Sequence, residues 1–318
     1  MNWEMNNIKI MAGSSNVPVA QSVAKILGVP LSDTDTERFS DGETYVNINE
    51  SIRGCDIFVI QSVSEPVNDN LMELLIYIDA LKRASAGRIT VVIPYYGYAR
   101  QDRKVLPRAP ITAKLVADLI TAAGADRVMT MDLHADQIQG FFNIPLDHLT
   151  AINVIVEKLM AYGLHKNQDL VVVSPDVGSV KRTRKVAEMF GAPMAIIDKR
   201  RYAKNTTEIM TVIGNVQGKN LLLIDDMIDT AGTMTNSIKE LKNLGANDIY
   251  AAATHGVLSG KAIQNLSEAP VKKVFITDTI HLPKEKEIEK IEVISVAPII
   301  AKAIDRVHKG KSVSMLFD

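Results

Sequence analysis

The sequence predicts an α/β protein of two related halves, each a mainly parallel sheet flanked by helices. Short aliphatic runs alternate with stretches of helical spacing along all 318 residues, which is the pattern of parallel strands joined by crossover helices. That length has room for about two domains of ordinary size. A strand–helix–strand segment also recurs, once from Gly54 and once from Gly218.

The first half carries three aliphatic runs suited to strands that are buried on both faces. They are IFVIQS (57–62), TVVIPY (90–95) and RVMTMD (127–132). Between the first two, apolar residues recur on one helical face, at Leu71, Leu74, Leu75, Ile78 and Leu81. A second helix is predicted over 110–124, because Pro110 stands at its start and Gly124 at its end.

The second half repeats the alternation. Its predicted strands are LVVVSPD (170–176), MAIIDK (194–199), LLLIDD (221–226) and KVFITD (273–278). One helix is predicted over 150–163 and another before Gly191. In a third helix Met234, Ile238 and Leu241 recur at helix spacing, and Gly245 marks its end.

Two alignments indicate an internal duplication. GCDIFVIQS and GKNLLLIDD lie 164 residues apart, whereas the helix ends ALKRASAGRI and ELKNLGANDI lie 160 apart, so the first copy carries four extra residues in its turn. The alternative is that any two strand–helix–strand units look alike. We predict an N-terminal domain over 1–150, a C-terminal domain over 151–300, and a helix and tail over 301–318 that packs back on the first domain.

Composition excludes several functional classes. Hydrophobic residues make up 47% and charged residues 23%, with a net charge of −1, so bulk electrostatics favour neither nucleic acid nor a membrane surface. The single cysteine, Cys55, excludes an internal disulfide and fits a reducing compartment. No signal peptide is evident at the start, and no apolar run reaches the length of a membrane span. We expect a cytoplasmic globular protein.

The segment LLLIDDMIDTAGT (221–233) combines a strand with a cluster of acids and small residues. Its four aliphatics predict the strand. The turn before the next helix is expected to hold Asp225, Asp226, Asp229, Thr230, Ala231, Gly232 and Thr233. In an open α/β sheet such a turn lies at the carboxyl edge, where ligands bind. The first half has Gln61 and Ser62 in place of the acid pair and lacks DTAGT, so one half alone carries this chemistry.

The cluster favours a phosphorylated sugar. Ala231 and Gly232 let the backbone curl around a ligand, and the first N–H groups of the next helix suit a phosphate monoester. No Gly-Lys-Ser/Thr follows, so this is not a Walker A loop. Asp225 and Asp226 repel phosphate but accept hydrogen bonds from adjacent hydroxyls, or coordinate Mg²⁺ through water. Phosphate at one end and a diol at the other describe ribose 5-phosphate. The alternative is a strand-end aspartate that caps a helix.

Four further segments carry a family resemblance, namely YYGYARQDRK (95–104), MDLHADQIQGFF (131–142), SPDVGS (174–179) and IIDKRRYAKN (196–205). With them the chain resembles the ribose-phosphate pyrophosphokinases of the phosphate-regulated class, from FSDGE (39–43) to SVSMLF (312–317). The resemblance implies two tandem phosphoribosyltransferase-like α/β domains. It also implies transfer of the diphosphoryl group of ATP to the C1 hydroxyl of ribose 5-phosphate, which gives 5-phosphoribosyl 1-diphosphate and AMP.

The resemblance assigns roles in the second half. It implies that Asp229 to Thr233 hold the 5-phosphate and that Asp225, with Asp226, contacts the ribose hydroxyls. Lys199 and Arg201 follow the strand MAIID. The resemblance gives both cations the catalytic work of neutralising the migrating diphosphoryl group from a closing loop. Composition alone favours a solvated surface for three consecutive cations. Tyr202 stands where the family commonly has proline.

The resemblance also implies sites for Mg²⁺ and ATP. His134 and Asp176 match the metal-binding positions, although His134 without its neighbours indicates only a surface histidine. Ser179 stands where the family usually has glycine and is expected to crowd the turn. The implied ATP contacts are Arg100, Gln101, Lys104 and His134, with an adenine loop of Phe39, Asp41 and Glu43. On its own, FSDGE indicates a turn and a core or interface aromatic.

A homo-oligomer, usually a hexamer, is implied in the same way, with inorganic phosphate as activator and ADP as inhibitor. The matching effector residues are Ser51, Arg53, Arg83, Ser85, Ser312, Ser314 and Phe317. Serines with arginines suit an anion. The loop VLPRAP (105–110) departs from the more polar version in the family, so the sensitivity to ADP is expected to differ.

Two other functions are compatible with parts of the sequence. An ordinary phosphoribosyltransferase would use the same acidic DTAGT loop, but the duplicated chain, FSDGE and the KRR segment favour the synthetase. The second is a catalytically silent, nucleotide-binding homologue that regulates an active synthetase. Such a protein is expected to lose the loop cations or to interrupt DTAGT, and both are intact here.

Overall fold

The computed structural model describes residues 7–200 and 209–316, which fall into two units. The first unit contains the chain up to Thr150, the short segment Thr279–His281 and the chain from Ser295 onward. The second unit contains Ala151–Asp278 and Leu282–Ile294. Within the described ranges, no helix is long and apolar enough to cross a membrane.

In the first unit, strands and helices alternate around one antiparallel hairpin. In chain order its elements are β1 (Ile8–Ala12), α1 (Val17–Leu27), β2 (Thr34–Arg38), β3 (Thr44–Ile48), β4 (Asp56–Ile60), α2 (Val67–Arg83), β5 (Arg88–Ile93), α3 (Thr112–Ala123), β6 (Arg127–Met131) and β7 (Leu146–Leu149). Gly124 ends α3 with a φ of 117°, as predicted. The helix begins two residues after Pro110, where Thr112 Oγ1 and Ala113 N donate to Gln101.

The second unit repeats this order. Its elements are α4 (Ile152–Ala161), β8 (Leu170–Ser174), α5 (Val180–Phe190), β9 (Met194–Arg200), β10 (Ile209–Ile213), β11 (Asn220–Ile228), α6 (Gly232–Asn243), β12 (Ile249–Gly256), α7 (Ala262–Glu268), β13 (Lys273–Thr277) and β14 (Ile291–Ile294). The last helix, α8 (Ala297–His308), belongs to the first unit and packs against α1.

The strand order confirms the predicted fold class and the internal duplication. The first sheet has the order β1-β4-β5-β6-β7, all parallel. The second has the order β10-β9-β8-β11-β12-β13-β14, parallel except for the pair β9 and β10. The series β8-β11-β12-β13-β14 thus repeats the first sheet strand for strand. In the first unit, the hairpin of β2 and β3 forms a separate two-stranded sheet.

The central strands are buried on both faces, because helices cover both sides of a parallel sheet. Every residue of β8 and of β12 is buried. The helices contribute apolar faces, and Ile238 and Leu241 of α6 are fully buried in the core of the second unit. The ends of the strands are then the part of the sheet that remains open to a ligand.

One lysine holds the end of α7. Lys290 is half-buried, and its Nζ donates to Leu266 O at 3.3 Å, Ser267 O at 2.7 Å and Ala269 O at 2.8 Å. These carbonyls lie at the carboxyl end of the helix, where backbone acceptors lack intrahelical partners and a cation is favourable.

We expect Lys290→Met to lower the free energy of unfolding by about 1–2 kcal/mol, because three carbonyls lose a charged donor. Urea unfolding followed by circular dichroism measures this. Lys239→Met is the matched control, since Lys239 is exposed on α6 of the same unit and has no ion pair or hydrogen bond among the described side chains. Equal effects of the two changes would contradict the capping role of Lys290.

Candidate functional site

The candidate site lies at the carboxyl edge of the second sheet, where three neighbouring strands end. Strands β8, β11 and β12 pair in parallel, so the segments that follow them meet at one edge. Those segments are residues 175–179, 229–231 and 257–261. The first contains the predicted metal residue Asp176, and the second contains the first three residues of the predicted phosphate loop.

The strand that carries the acid pair is longer than the sequence predicted. Strand β11 continues to Ile228, because its backbone stays paired with β12 through Asp225↔Ala253 and Ile228↔Gly256. Asp225 and Asp226 are therefore strand residues, as the predicted strand over 221–226 has them, and the further prediction that they lie in the turn is wrong. The sheet, rather than a loop, fixes where their backbones lie.

The two acids form a poorly solvated pair. Asp226 is buried, and its backbone N–H donates to Asp225 Oδ1 at 2.9 Å. Burial, the neighbouring charge of Asp226 and the more distant Asp176 raise the pKa of Asp225 to about 7. A carboxylate pair of this kind accepts hydrogen bonds from two adjacent hydroxyls, or attracts a cation.

The phosphate loop, residues 229–233, leads from β11 directly into α6. Ala231 adopts a φ of 59°, a left-handed conformation that is rare outside glycine, and α6 begins at Gly232. Among the described residues, no side chain caps this helix start, and helix-start N–H groups of this kind suit an anion. Thr230 and Thr233 are exposed beside them.

A neighbouring segment that the sequence analysis missed holds the phosphate loop. Ser259, after β12, donates through Oγ to Asp229 Oδ1 and through N to Asp229 O at 3.2 Å. Asn265 of α7 donates through Nδ2 to Thr230 O at 2.9 Å. Leu258 adopts a φ of 48° in this segment. The sequence signal that could have indicated this segment is the polar Ser259 in the loop after β12, the strand that follows the DTAGT helix.

The turn between β8 and α5 supplies the other wall. Asp176 is exposed, and Ser179 N donates to its Oδ1 at 2.8 Å. Ser179 Oγ donates to Asp225 Oδ1 at 3.0 Å. With φ at −87° and ψ at 0°, Ser179 fits the turn without the crowding that the sequence predicted. Sequence reasoning also missed Arg182, one helical turn further on, whose Nη1 lies 3.7 Å from Asp226 Oδ1.

The predicted catalytic lysine lies on β9 of the same sheet, between β8 and the edge strand β10. Strand β9 pairs with β8 as far as Ile196 and then continues four residues to Arg200. At about 3.3 Å per residue, β9 extends roughly 13 Å beyond the end of β8. The backbone of Lys199 is paired with Met210 of β10 in this extension, so it lies within a strand rather than after one. The side chain of Lys199, and Arg201 and Tyr202 entirely, lie outside the described part of the chain.

Most of the predicted ATP residues collect at the carboxyl edge of the first sheet. Arg100, Gln101 and Lys104 follow β5 and are exposed, and His134 follows the adjacent strand β6 and is exposed too. The two segments are joined, because Gln137 Nε2 donates to Asp102 Oδ2 at 2.7 Å.

The predicted adenine loop lies elsewhere in the first unit. Phe39, Asp41 and Glu43 form the turn between β2 and β3, closed by a hydrogen bond of 2.8 Å from Phe39 N to Glu43 O. The Phe39 side chain is 55% exposed, with its ring centroid 6.0 Å from that of Tyr45. An aromatic this exposed suits a surface contact with a base.

The two predicted metal residues belong to different units. His134 lies in the first unit and Asp176 in the second. Across residues 7–200 and 209–316, no group of three histidine, cysteine or acidic side chains is placed to hold a metal ion.

The residues predicted to bind effectors, as far as the structure describes them, lie toward the amino edge of the first sheet. Gly54 N donates to Ser85 O at 2.9 Å, which joins the loop of Ser51 and Arg53 to the loop after α2. The end of α8 reaches the same edge, where His308 Nδ1 lies 2.7 Å from Asp56 Oδ2. Arg83 is at the end of α2, and Ser312 and Ser314 follow α8, with their hydroxyls 2.7 Å apart. Phe317 lies outside the described residues.

The first unit fills the position equivalent to the acid site with its own side chains. The 160-residue offset of the helix ends places Glu73 opposite Thr233, and α2 begins six residues before Glu73. Glu73 is buried and accepts from Ser14 N and Ser14 Oγ at 2.6 Å each and from Gln61 Nε2 at 3.0 Å. Gln61, opposite Asp225, also accepts from Ser15 Oγ at 2.6 Å.

Comparison with known proteins identifies relatives along nearly the whole chain. The model of the N-terminal domain of ribose phosphate pyrophosphokinase matches residues 8–124, and that of the phosphoribosyl synthetase-associated domain matches residues 199–318. A ribose-phosphate pyrophosphokinase of Clostridium tetani is 58% identical over 99% of this chain and 98% of its own length. One of Caldanaerobacter subterraneus is 60% identical over 98% of both chains.

The fold agrees with a solved structure. The crystal structure of phosphoribosylpyrophosphate synthetase from Mycobacterium smegmatis matches with a TM-score of 0.91 and 44% identity, over 96% of this chain and 100% of that chain. Likeness at this level covers both units.

We expect Asp225→Asn to raise the melting temperature of the ligand-free protein at pH 8. The increase in melting temperature is expected to be smaller toward pH 5. The folded-state pKa of Asp225, about 7, lies above its ordinary value of 3.8, so the wild type loses stability as pH rises through that window. Asparagine does not ionise and avoids this loss. Scanning calorimetry across that pH range measures the difference, and a difference that is the same at every pH would contradict the assignment.

Proposed function

The chain belongs to the ribose-phosphate pyrophosphokinase family, and we propose that the carboxyl edge of its second unit binds ribose 5-phosphate for the reaction of that family. The protein transfers the diphosphoryl group of ATP to the C1 hydroxyl of ribose 5-phosphate, giving 5-phosphoribosyl 1-diphosphate and AMP. One observation carries the placement of the sugar. The acid pair and the uncapped start of α6 lie at the two ends of a single strand-to-helix connection.

The two ends of that connection suit the two ends of the sugar. Asp225 and Asp226 accept hydrogen bonds from the ribose hydroxyls, since a carboxylate is an acceptor and a diol offers two donors. Residues Asp229, Thr230, Ala231, Gly232 and Thr233 hold the 5-phosphate through backbone N–H groups and hydroxyls. Both ends being held orients the C1 hydroxyl toward the incoming diphosphoryl group.

Lys199 and Arg201 act as the catalytic cations in this proposal. Phosphoryl transfer depends on positioning and on neutralising charge that builds on the transferring group. The backbone of Lys199 lies on β9, two strands from the acid pair in the order β9-β8-β11. Two strand spacings are about 10 Å across the sheet. A lysine side chain that extends from β9 and a sugar bound at β11 can together span that distance.

Mg²⁺ is the cofactor of the proposed reaction, for which Asp176 of the second unit and His134 of the first are the predicted ligands, each of which would act together with substrate oxygens. Asp176 suits a metal ligand, because its carboxylate is exposed. Its hydrogen bond from Ser179 N ends on Oδ1 and does not involve Oδ2. His134 is an unusual ligand for so hard a cation, so a contact through water suits it better. When bound, Mg²⁺ would neutralise the charge of the polyphosphate.

We assign ATP binding and subunit contacts to the N-terminal domain, with Arg100, Gln101, Lys104 and His134 at the polyphosphate and Phe39, Asp41 and Glu43 at the adenine. The exposure of Phe39 supports a loop that serves the site of a neighbouring copy. A homo-oligomer, usually hexameric in the family, is part of the same proposal. So is a cytoplasmic location, which the single cysteine supports.

A catalytically silent regulator is not favoured. The relatives of 58% and 60% identity are named as pyrophosphokinases over their whole length. The phosphate loop also runs into α6 without interruption.

Incubation of the protein with ATP, Mg²⁺ and ribose 5-phosphate is expected to give AMP, whereas omission of ribose 5-phosphate gives none. We expect Lys199→Ala to lower kcat by about 10²–10³-fold, because a cation that acts in the transition state is lost. The KM for each substrate is expected to change little. Chromatography of the nucleotides measures both quantities.

Lys204→Ala, in the same segment of sequence, is the control for Lys199→Ala and is expected to keep most of the activity. A near-normal kcat for Lys199→Ala would remove this lysine from the mechanism. Equal losses in the two variants would show a general effect of the segment instead.

Inorganic phosphate is expected to raise the rate of AMP formation and ADP to lower it. We expect Arg53→Ala to raise the phosphate concentration for half-activation by about tenfold, since a charged hydrogen-bond donor to an anion is lost. Lys25→Ala, exposed on α1, is the control. An unchanged phosphate response in Arg53→Ala would exclude Arg53 from the effector site.

A further inference from the structure

We propose that Ser179 and Arg182 are positioning residues that hold the Asp225–Asp226 pair in the geometry that accepts the sugar diol. Ser179 comes from the turn after β8, and Arg182 from the first turn of α5. The proposal deepens the function of the acid pair and rests on the assignment of ribose 5-phosphate to it.

Ser179 fixes one oxygen of Asp225 and leaves the other. Asp225 Oδ1 accepts from Ser179 Oγ at 3.0 Å and from Asp226 N at 2.9 Å. Both of these hydrogen bonds end on Oδ1 and neither reaches Oδ2. A carboxylate held through one oxygen cannot rotate freely, so Oδ2 is the oxygen set aside for a ligand hydroxyl.

The backbone of Ser179 is itself fixed. It is only 8% exposed, its N–H donates to Asp176 Oδ1 at 2.8 Å, and its carbonyl accepts from Thr183 N at 3.0 Å at the start of α5. The hydroxyl is therefore presented from a rigid turn.

Arg182 balances the charge of the pair without occupying its oxygens. Nη1 lies 3.7 Å from Asp226 Oδ1 and 4.0 Å from Asp225 Oδ1, and the guanidinium side chain is 18% exposed. Those distances are too long for hydrogen bonds. They are short enough for ionic attraction between the guanidinium and the two carboxylates, which water screens only in part at a half-buried position. The cation thus offsets the repulsion between two adjacent carboxylates that share one site.

Direct titration calorimetry of ribose 5-phosphate, without ATP, tests the proposal on the full chain, alongside KM and kcat for both substrates. We expect Arg182→Gln to raise the Kd and KM for ribose 5-phosphate by about tenfold or more, with little change in the KM for ATP. Arg182→Lys keeps the charge and is expected to recover most of the affinity.

Ser179→Gly is the second variant, and it preserves the turn because a φ of −87° suits glycine and serine alike. We expect it to raise the KM for ribose 5-phosphate about threefold, with kcat nearly unchanged, since one hydrogen bond is lost. Arg184→Gln is the matched control, because Arg184 is exposed two positions further on α5, where it points away from the face of Arg182.

The proposal is overturned if Arg182→Gln and Arg184→Gln behave alike, or if Arg182→Gln raises the KM for ATP as much as that for the sugar. Should Arg182→Gln fail to fold, unchanged sugar affinity in both Ser179→Gly and Arg182→Lys would overturn it. Failure of the proposed function looks different, because the wild type itself would then bind no ribose 5-phosphate and form no AMP.

Discussion

Parallel pairing of β8, β11 and β12 is the constraint on which the site depends. Parallel strands all end at one edge, so the pairing brings together three segments that are far apart in the chain. Strand β12 also keeps β11 extended through the acid pair, which turns two residues expected in a loop into parts of the sheet. A site on a sheet is more rigid than a site on a loop, and rigidity is what orientation of a sugar between two anchoring ends requires.

The site is unfavourable for the ligand-free protein. Two acids share a poorly solvated place, and the raised pKa of Asp225 is the sign of that cost. Around them the protein sets polar groups that offset part of the cost, with Ser179 Oγ on one acid and Arg182 near both. Left-handed backbone at Ala231 and Leu258 adds local strain at the same edge. Stability given up at a binding site in this way is common, because the groups that bind a ligand cannot all satisfy one another.

The two units share one scaffold, but only the second has the poorly solvated acid pair among its described residues. In the first unit, Glu73 and Gln61 bond to each other and to the turn after β1, so these two side chains have partners within the unit. An extra turn of helix at the start of α2 takes the place of the phosphate loop. The two units therefore share strand order but differ in the side chains at the equivalent carboxyl edge. The loops of the first unit can then serve other contacts.

Sequence alone determined the fold class, the duplication and the residue types of the site. Burial of a strand on both faces and the turn chemistry of DTAGT are local properties, so a short window of sequence carries them. Only the tertiary structure decided the rest. It placed Asp225 and Asp226 in a strand, brought Ser259 and Asn265 to the phosphate loop, and set Arg182 beside the acids. Those contacts join residues about 30 to 45 positions apart across crossover helices, and they depend on strand order and register, which no local pattern encodes.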